Sequence, residues 1–389
     1  MTLTCDFDQI VDRLDTDSVK WCVYDQDVLP LWVADMDFTV PDAVVQALQE
    51  RVAHRVFGYA APPEALYEVI QARLAREYDW RVEREEIFFI PGVVSGFNQA
   101  CRAVSAPGDA VLVQPPIYPP MLRAPGNVGC TCTEAPLVEG PERYEIDLDA
   151  FEAAIMDWPQ RSAIFLLCNP HNPTGRVFDR QELEQLAEIC LRHGVVICSD
   201  EIHCDIVYQG YRHIPIAALG PEVAAQTMTL FAPSKTFNIP GLSCSVGVIQ
   251  NPALREQFDK AGAGLVPHVN ALGYTAALAA YRDGQAWLDE LLVYLEANRD
   301  DMLAYIAAQL PGITCKKPEG TFLAWLDCRQ AGIPGNPHEF FLERARVALN
   351  DGSHFDQASA DFVRLNFACP RATLEEALER MRAALQTLA

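Results

Sequence analysis

Lys235 stands in the run "LFAPSKTFNIPGLSCSVGVI" (230–249), which is largely apolar and carries no other charge. A lysine is almost never fully buried without a partner, so this amine needs a task. Asp200 ends a second apolar run, "GVVICSD". Asn169 and Asn172 lie in "NPHNPTG", just after the run "SAIFLLC". Gly92 to Ser95 fall between an apolar stretch and a helical pattern, where free backbone N–H groups make an anion site. Tyr118 follows "AVLV". Together these groups suit one chemistry, a Schiff base between a lysine and a pyridoxal ring. Such a ring needs an amine to link its aldehyde. It needs a carboxylate beside its pyridine nitrogen, so that it acts as an electron sink. It also needs donors at the ring oxygen, an aromatic face and a cradle for its phosphate.

The elements that must carry these residues are legible. "SAIFLLCNPHNPTGRVFDRQELEQLAEICLRHGVVICSD" reads as an apolar strand (163–168), a loop, an amphipathic helix (180–192), Gly194 as a stop, and a second apolar strand. "EIFFIPGVVSGFNQACRAV" reads as a strand, a Pro-Gly turn and a helix. "MTLFAPSK" and "SCSVGVIQ" are two further strands flanking Lys235. Apolar strands alternating with helices predict an α/β fold with a mainly parallel sheet between helices. Ligands of open parallel sheets sit at the carboxyl ends of the strands, where these candidates fall. Beyond about residue 285 the pattern changes to a long helix (285–310), "GTFLAWLDC", "DFVRLNFACP" and a terminal helix, which predicts a smaller α+β domain. The expected division is an N-terminal segment (1–40) packing on the small domain, a large domain (41–288) and the small domain (289–389).

Composition narrows the function classes. Among 389 residues, 30 Lys and Arg face 53 Asp and Glu, a formal charge of −23. That surface disfavours nucleic acid and anionic membranes as partners. The 13 cysteines include no C-x-x-C pair and no spacing typical of a metal site. They read as free thiols in a reducing compartment. The N-terminus is polar and acidic, no apolar run reaches the length of a membrane span, and the expectation is a cytoplasmic protein. Neither a P-loop nor a dinucleotide-binding glycine pattern occurs.

"NPHNPTG", "SDEIH" and "PSKTFNIPGL", in this order and at these distances, resemble the aspartate-aminotransferase family of fold-type I pyridoxal-phosphate enzymes. The resemblance extends over nearly the whole chain. Within it, "DSVKW" (17–21), "PLWVADMDF" (30–38), "GY" (58–59), "FNIPGL" (237–242) and "VRLNFACPR" (363–371) are similar to the branch of cystathionine β-lyases and cysteine C–S lyases. The resemblance implies pyridoxal 5'-phosphate as cofactor, an amino-acid substrate and a homodimer with shared sites. It makes Lys235 the Schiff-base lysine and general base, and Asp200 the partner of the pyridine nitrogen. Asn172 and His203 serve the ring oxygen, and Tyr118 stacks on the ring. The backbone at Val93 and Val94, with Ser234 and Tyr59, holds the phosphate, Tyr59 reaching across to the neighbouring subunit. Arg364 grips the substrate carboxylate, with Tyr59 also on the substrate side.

Two positions depart from the broader pattern. Ala232 replaces a common serine, and Ser243 replaces a common phosphate-binding arginine, which leaves a lean phosphate cradle. Trp32, Asp35 and Asp37 belong either to the substrate side or to the domain seam. The implied activity is C–S β-elimination yielding a thiol, pyruvate and ammonia. The alternative is an aminotransferase, which would use Lys235, Asp200 and Arg364 equally. A binding protein that keeps the fold without catalysis is the third reading.

Overall fold

Uninterrupted apolar runs become the centre of a seven-stranded sheet in the computed structural model, which describes residues 5–388. Its strands are β1 (Ile87–Ile90), β2 (Ala110–Val113), β3 (Thr131–Glu134), β4 (Ser162–Cys168), β5 (Val196–Asp200), β6 (Thr227–Phe231) and β7 (Ser245–Val248). They lie in the order β1-β7-β6-β5-β4-β2-β3. β7 runs antiparallel to both neighbours and the other pairings are parallel. Every residue of β2, β4 and β6 is buried, as strands covered on both faces require.

The helices have local causes. The helix α1 (Asp42–Ala53) opens behind Pro41 with an acid in its first turn, matching the helix macrodipole. α2 (Val93–Val104) follows β1 through Pro91 and Gly92. In α3 (Arg180–His193), Asp179 and Glu182 form a reciprocal capping box, and Gly194 ends the helix at φ +66°.

The long helix α4 (Gln285–Gln309) is continuous, so residues 288 and 289, the expected domain boundary, lie inside one helix. Beyond it, a four-stranded antiparallel sheet contains β8 (Thr314–Cys315), β9 (Leu323–Asp327), β10 (Asn350–Asp351) and β11 (Phe362–Asn366), in the order β8-β9-β11-β10.

Residues 29–38 run across this second sheet as a strap. Leu29 and Pro30 pair in parallel with Val347 and Ala348. The Asn366 backbone N–H donates to Leu31, and Asp37 donates to Ala368. Among the described residues no helix is long and apolar enough to cross a membrane. None of their His, Cys, Asp and Glu clusters could hold a metal ion.

Gly352, just after β10, is required by close approach. A Cβ there would lie 2.1 Å from the Ser359 carbonyl oxygen and 2.5 Å from that of Phe362. Both obstacles are backbone, so neither can rotate away. Gly352→Ala is expected to destabilise the protein by about 1–3 kcal/mol, as overpacking does, read from urea unfolding.

Candidate active site

The sheet geometry brings the predicted residues to one edge. β1, β2, β4, β5 and β6 share a direction, so their carboxyl ends meet, and reversed β7 begins there. A cavity of about 380 Å³ opens at this edge. Its wall includes Val93, Val94, Tyr118, Asn172, Asp200, His203, Ser234, Lys235 and Arg364. Nine of the ten residues to which the resemblance gives a role are therefore together.

Lys235 lies in a single helical turn (Pro233–Thr236) directly after β6. Its Nζ donates to the Ala34 carbonyl at 2.6 Å. Burial lowers the amine to about 8, with Asp35 and Asp200 opposing that shift and Arg364 adding to it. A substantial neutral fraction near physiological pH makes this amine a nucleophile and a base. The turn is backed by Thr236, whose hydroxyl donates to Asp205 at 2.8 Å, and Asp205 is ion-paired with Arg73.

Asp200 is the last residue of β5 and is buried; its Oδ1 accepts the Ile202 N–H at 3.1 Å. His203 is buried beside it, packs edge-on against Phe322, and has no partner for Nδ1. Burial holds this imidazole neutral, far below its ordinary value. Tyr118 precedes the helix Pro119–Asn127, and burial raises its phenol, which stays protonated.

Arg364, on β11, comes from the other sheet. Its Nη1 donates to Asn172 Oδ1 at 2.9 Å, and its Nη2 to the Trp32 carbonyl at 2.8 Å and to Asn350 Oδ1. Its Nε has no partner, and no carboxylate pairs with it among the described residues. Burial lowers the guanidinium to about 10, so it remains charged at neutral pH. A buried cation held by neutral acceptors is an anion site waiting for a carboxylate.

Pyridoxal phosphate fits this arrangement. The buried Asp200 carboxyl lacks a bonded cation, which a protonated pyridine nitrogen would supply. Asn172 has its carbonyl engaged by Arg364, so its amide donors remain for a ring oxygen. Gly92, Val93 and Val94 line the cavity at the N-terminus of α2, where a Cβ on Gly92 would meet only open space. Ser234, Ser243 and Ser245 complete a neutral cradle.

The family model for aminotransferases of class I and II matches residues 26–381. The chain belongs to that family. Among proteins similar to this family member, cystathionine β-lyase PatB of Bacillus subtilis (strain 168) is 39% identical over 389 residues, covering 97% of this chain and 99% of PatB. The crystal structure of OvoB superposes with a TM-score of 0.94 at 43% identity, covering 98% of this chain and 99% of that one. Cystalysin from Treponema denticola, whose structure contains pyridoxal 5'-phosphate, gives a TM-score of 0.95 at 31% identity with complete coverage of both chains.

Against the aminotransferase class I and II background, three quoted motifs prove to be one physical unit. Asn238 of "FNIPGL", at φ +55°, accepts the Met36 N–H and donates to the Met36 and Phe38 carbonyls. Asn366 of "VRLNFACPR" donates to the Val33 and Asp35 carbonyls. Between these clamps the strap lays the Ala34 oxygen on Lys235 and the Trp32 oxygen on Arg364. Trp32 therefore faces the cavity, while Asp37 turns away from it into an ion cluster with Arg13 and Lys20.

Tyr59 is the exception among those ten, and Asn169, whose Oδ1 accepts the Phe178 N–H, also lies outside the wall. Tyr59 is fully exposed in the irregular segment after α1 and lies outside this cavity. Asn350, Cys168 and Cys244 line the cavity without having been singled out. Only the pairing of Asn350 with Arg364 across β10 and β11 reveals its place, and no sequence motif marks it.

The Asp200 carboxyl gives a pH prediction. Burial pushes it up to about 7, against the Ile202 amide and Lys235, which favour its charge. Unfolded, it titrates near about 3.9, so between about pH 4 and 7 the cofactor-free folded protein holds a proton that the unfolded chain has released. Stability is therefore lost as pH rises through that window. Cofactor-free wild type is expected to lose a few kcal/mol more than Asp200→Asn between pH 5 and pH 8 in urea unfolding.

Proposed function

We propose that this chain is a pyridoxal-phosphate-dependent C–S β-lyase acting on L-cysteine S-conjugates, with cystathionine among them. The observation that carries the reading is the inventory of charge in the cavity: the amine of Lys235, the carboxyl of Asp200 and the guanidinium of Arg364. One cation serves the α-carboxylate, and among the described residues lining the cavity no second cation awaits a side-chain carboxylate. The remaining wall is largely apolar or neutral, which suits a sulfur substituent. The names of PatB and the other cystathionine β-lyases similar to this chain support the same reading.

Pyridoxal phosphate, when bound, supplies an aldehyde that links to amines and a ring that draws electrons from Cα. The residues of the chain do the rest. Arg364 holds the α-carboxylate through two N–H donors. Lys235 takes the proton from Cα. Asp200 keeps the pyridine nitrogen protonated. The electron pair of the Cα–H bond becomes the Cα=Cβ bond, and the Cβ–S pair leaves with the thiolate. Water converts the released enamine to pyruvate and ammonia.

The homodimer expected from the resemblance belongs to this proposal. Tyr59, Phe57, Val56 and Val52 are exposed together at the end of α1. A second copy covering them would bring Tyr59 to the lean phosphate cradle of its neighbour. Sedimentation of the holoenzyme tests this, and a monomer would refute it. A cytoplasmic site of action fits the twelve free thiols from Cys22 to Cys369.

The deciding assay for function is purified holoenzyme with L-cystathionine or an S-alkyl-L-cysteine and no keto acid. Pyruvate and thiol are expected in equal amounts. Turnover that appears only on adding 2-oxoglutarate would replace the lyase by the aminotransferase.

A further inference from the structure

The buried charges nearest the site, apart from the site itself, lie under the strap. Lys20 is fully buried in its side chain, and its Nζ sits 2.7 Å from Asp37 Oδ2 and 3.3 Å from the Asp35 carbonyl. Its own carbonyl accepts the Trp32 indole N–H at 3.1 Å. Asp37 also accepts from the Trp21 indole at 2.9 Å and from Arg13 at 2.7 Å. Arg13 reaches Asp35 at 2.7 Å as well. Two cations thus balance two carboxylates, and none of the four lines the cavity. On the cavity side, residues 32–37 of the strap present the two carbonyls that hold Lys235 and Arg364.

We propose that the Lys20–Asp37 pair is a positioning device, fixing residues 32–37 so that the Ala34 and Trp32 carbonyls hold the Lys235 amine and the Arg364 guanidinium in register for reaction. It rests on the assignment of Lys235 and Arg364 above. Neither Lys20 nor Asp37 lines the cavity, so the pair acts only through the strap and through its charge. The charge has a predictable sign. Lys235 is faced by Asp35, Asp200, Arg364 and His203. Deleting the Lys20 charge leaves Asp35 and Asp37 in excess and favours the protonated nitrogen of Lys235. Deleting the Asp37 charge does the opposite.

The test uses holoenzyme of wild type, Lys20→Met, Asp37→Asn and Lys20→Arg. Two readouts are taken: the pH midpoint of the visible absorbance of the lysine-linked cofactor, and KM with kcat for β-elimination. The midpoint is expected to rise in Lys20→Met and to fall in Asp37→Asn. KM is expected to rise about tenfold in both, since small displacements of a positioned group carry costs of that order or larger. Lys20→Arg is expected to restore the wild-type midpoint. Wild-type midpoints and KM in both charge-deleting variants, even with a lowered melting temperature, would overturn the proposal. So would failure of both to give folded holoenzyme, which would leave the pair a folding role alone. A wild type without lysine-linked absorbance would overturn the Lys235 assignment, and this inference with it.

Discussion

Lys235→Ala is expected to abolish β-elimination, by roughly 10³-fold or more in kcat, because nucleophile and base are lost together. The fold is expected to survive. The amine makes one hydrogen bond, to the Ala34 carbonyl, and the surrounding strap is held independently by Asn238 and Asn366. The stability effect has a definite sign. Burial lowers the Lys235 amine to about 8, whereas the unfolded chain titrates near about 10.4. Below pH 8 the folded state therefore carries a cation that burial disfavours, and removing it relieves that cost. The cofactor-free variant should melt no lower than cofactor-free wild type at pH 7, and on addition of cofactor it should lack the absorbance of the lysine-linked form that wild type shows. Borohydride should fix the cofactor covalently to wild type and not to the variant, read by mass. Near-normal elimination by Lys235→Ala would remove Lys235 from the mechanism.

The contrast between Lys235 and its surroundings explains how far the sequence could be read. The alternation of apolar strands and helices was legible because the central parallel strands are buried on both faces and the helix between two of them carries its own caps, Asp179, Glu182 and Gly194. Strand-end residues such as Asp200 and Lys235 were legible because a charge at the end of an apolar run is costly unless it is used. Other parts of the site have no such signature. A main-chain carbonyl such as that of Ala34 looks the same at every position, and its partner lies 201 residues away. Asn350 is an ordinary residue until β10 pairs with β11 and sets it opposite Arg364. The run 30–38 was visible as a motif, yet which of its side chains face the site depends on the twin clamps of Asn238 and Asn366. Tyr59 shows the limit of a single chain: its side chain meets solvent, and any task it has requires a second copy.

Arg364→Lys is expected to raise KM by roughly 30- to 150-fold, the equivalent of about 2–3 kcal/mol lost with a charge-assisted bidentate contact. The change in kcat should be much smaller. The reason is geometric. Arg364 uses its two Nη groups to hold Asn172, Asn350 and the Trp32 carbonyl, keeping the plane of its fork fixed above the Phe355 ring, 5.0 Å from its centroid. An ammonium has neither the plane nor the number of donors to bind these groups and a carboxylate together. Burial adds a second effect. It already lowers the guanidinium from its ordinary value to about 10. A lysine starts about two units lower than arginine, and the same desolvation drives it toward the neutral amine near physiological pH. The variant should therefore lose substrate affinity progressively as pH rises from 6 to 9, in excess of any change in wild type, where the guanidinium stays charged over most of that range. A KM unchanged by the substitution would place the substrate carboxylate elsewhere. A raised KM without the added pH dependence would mean that water reaches the substituted ammonium, and that the burial of this position is not what makes arginine necessary there.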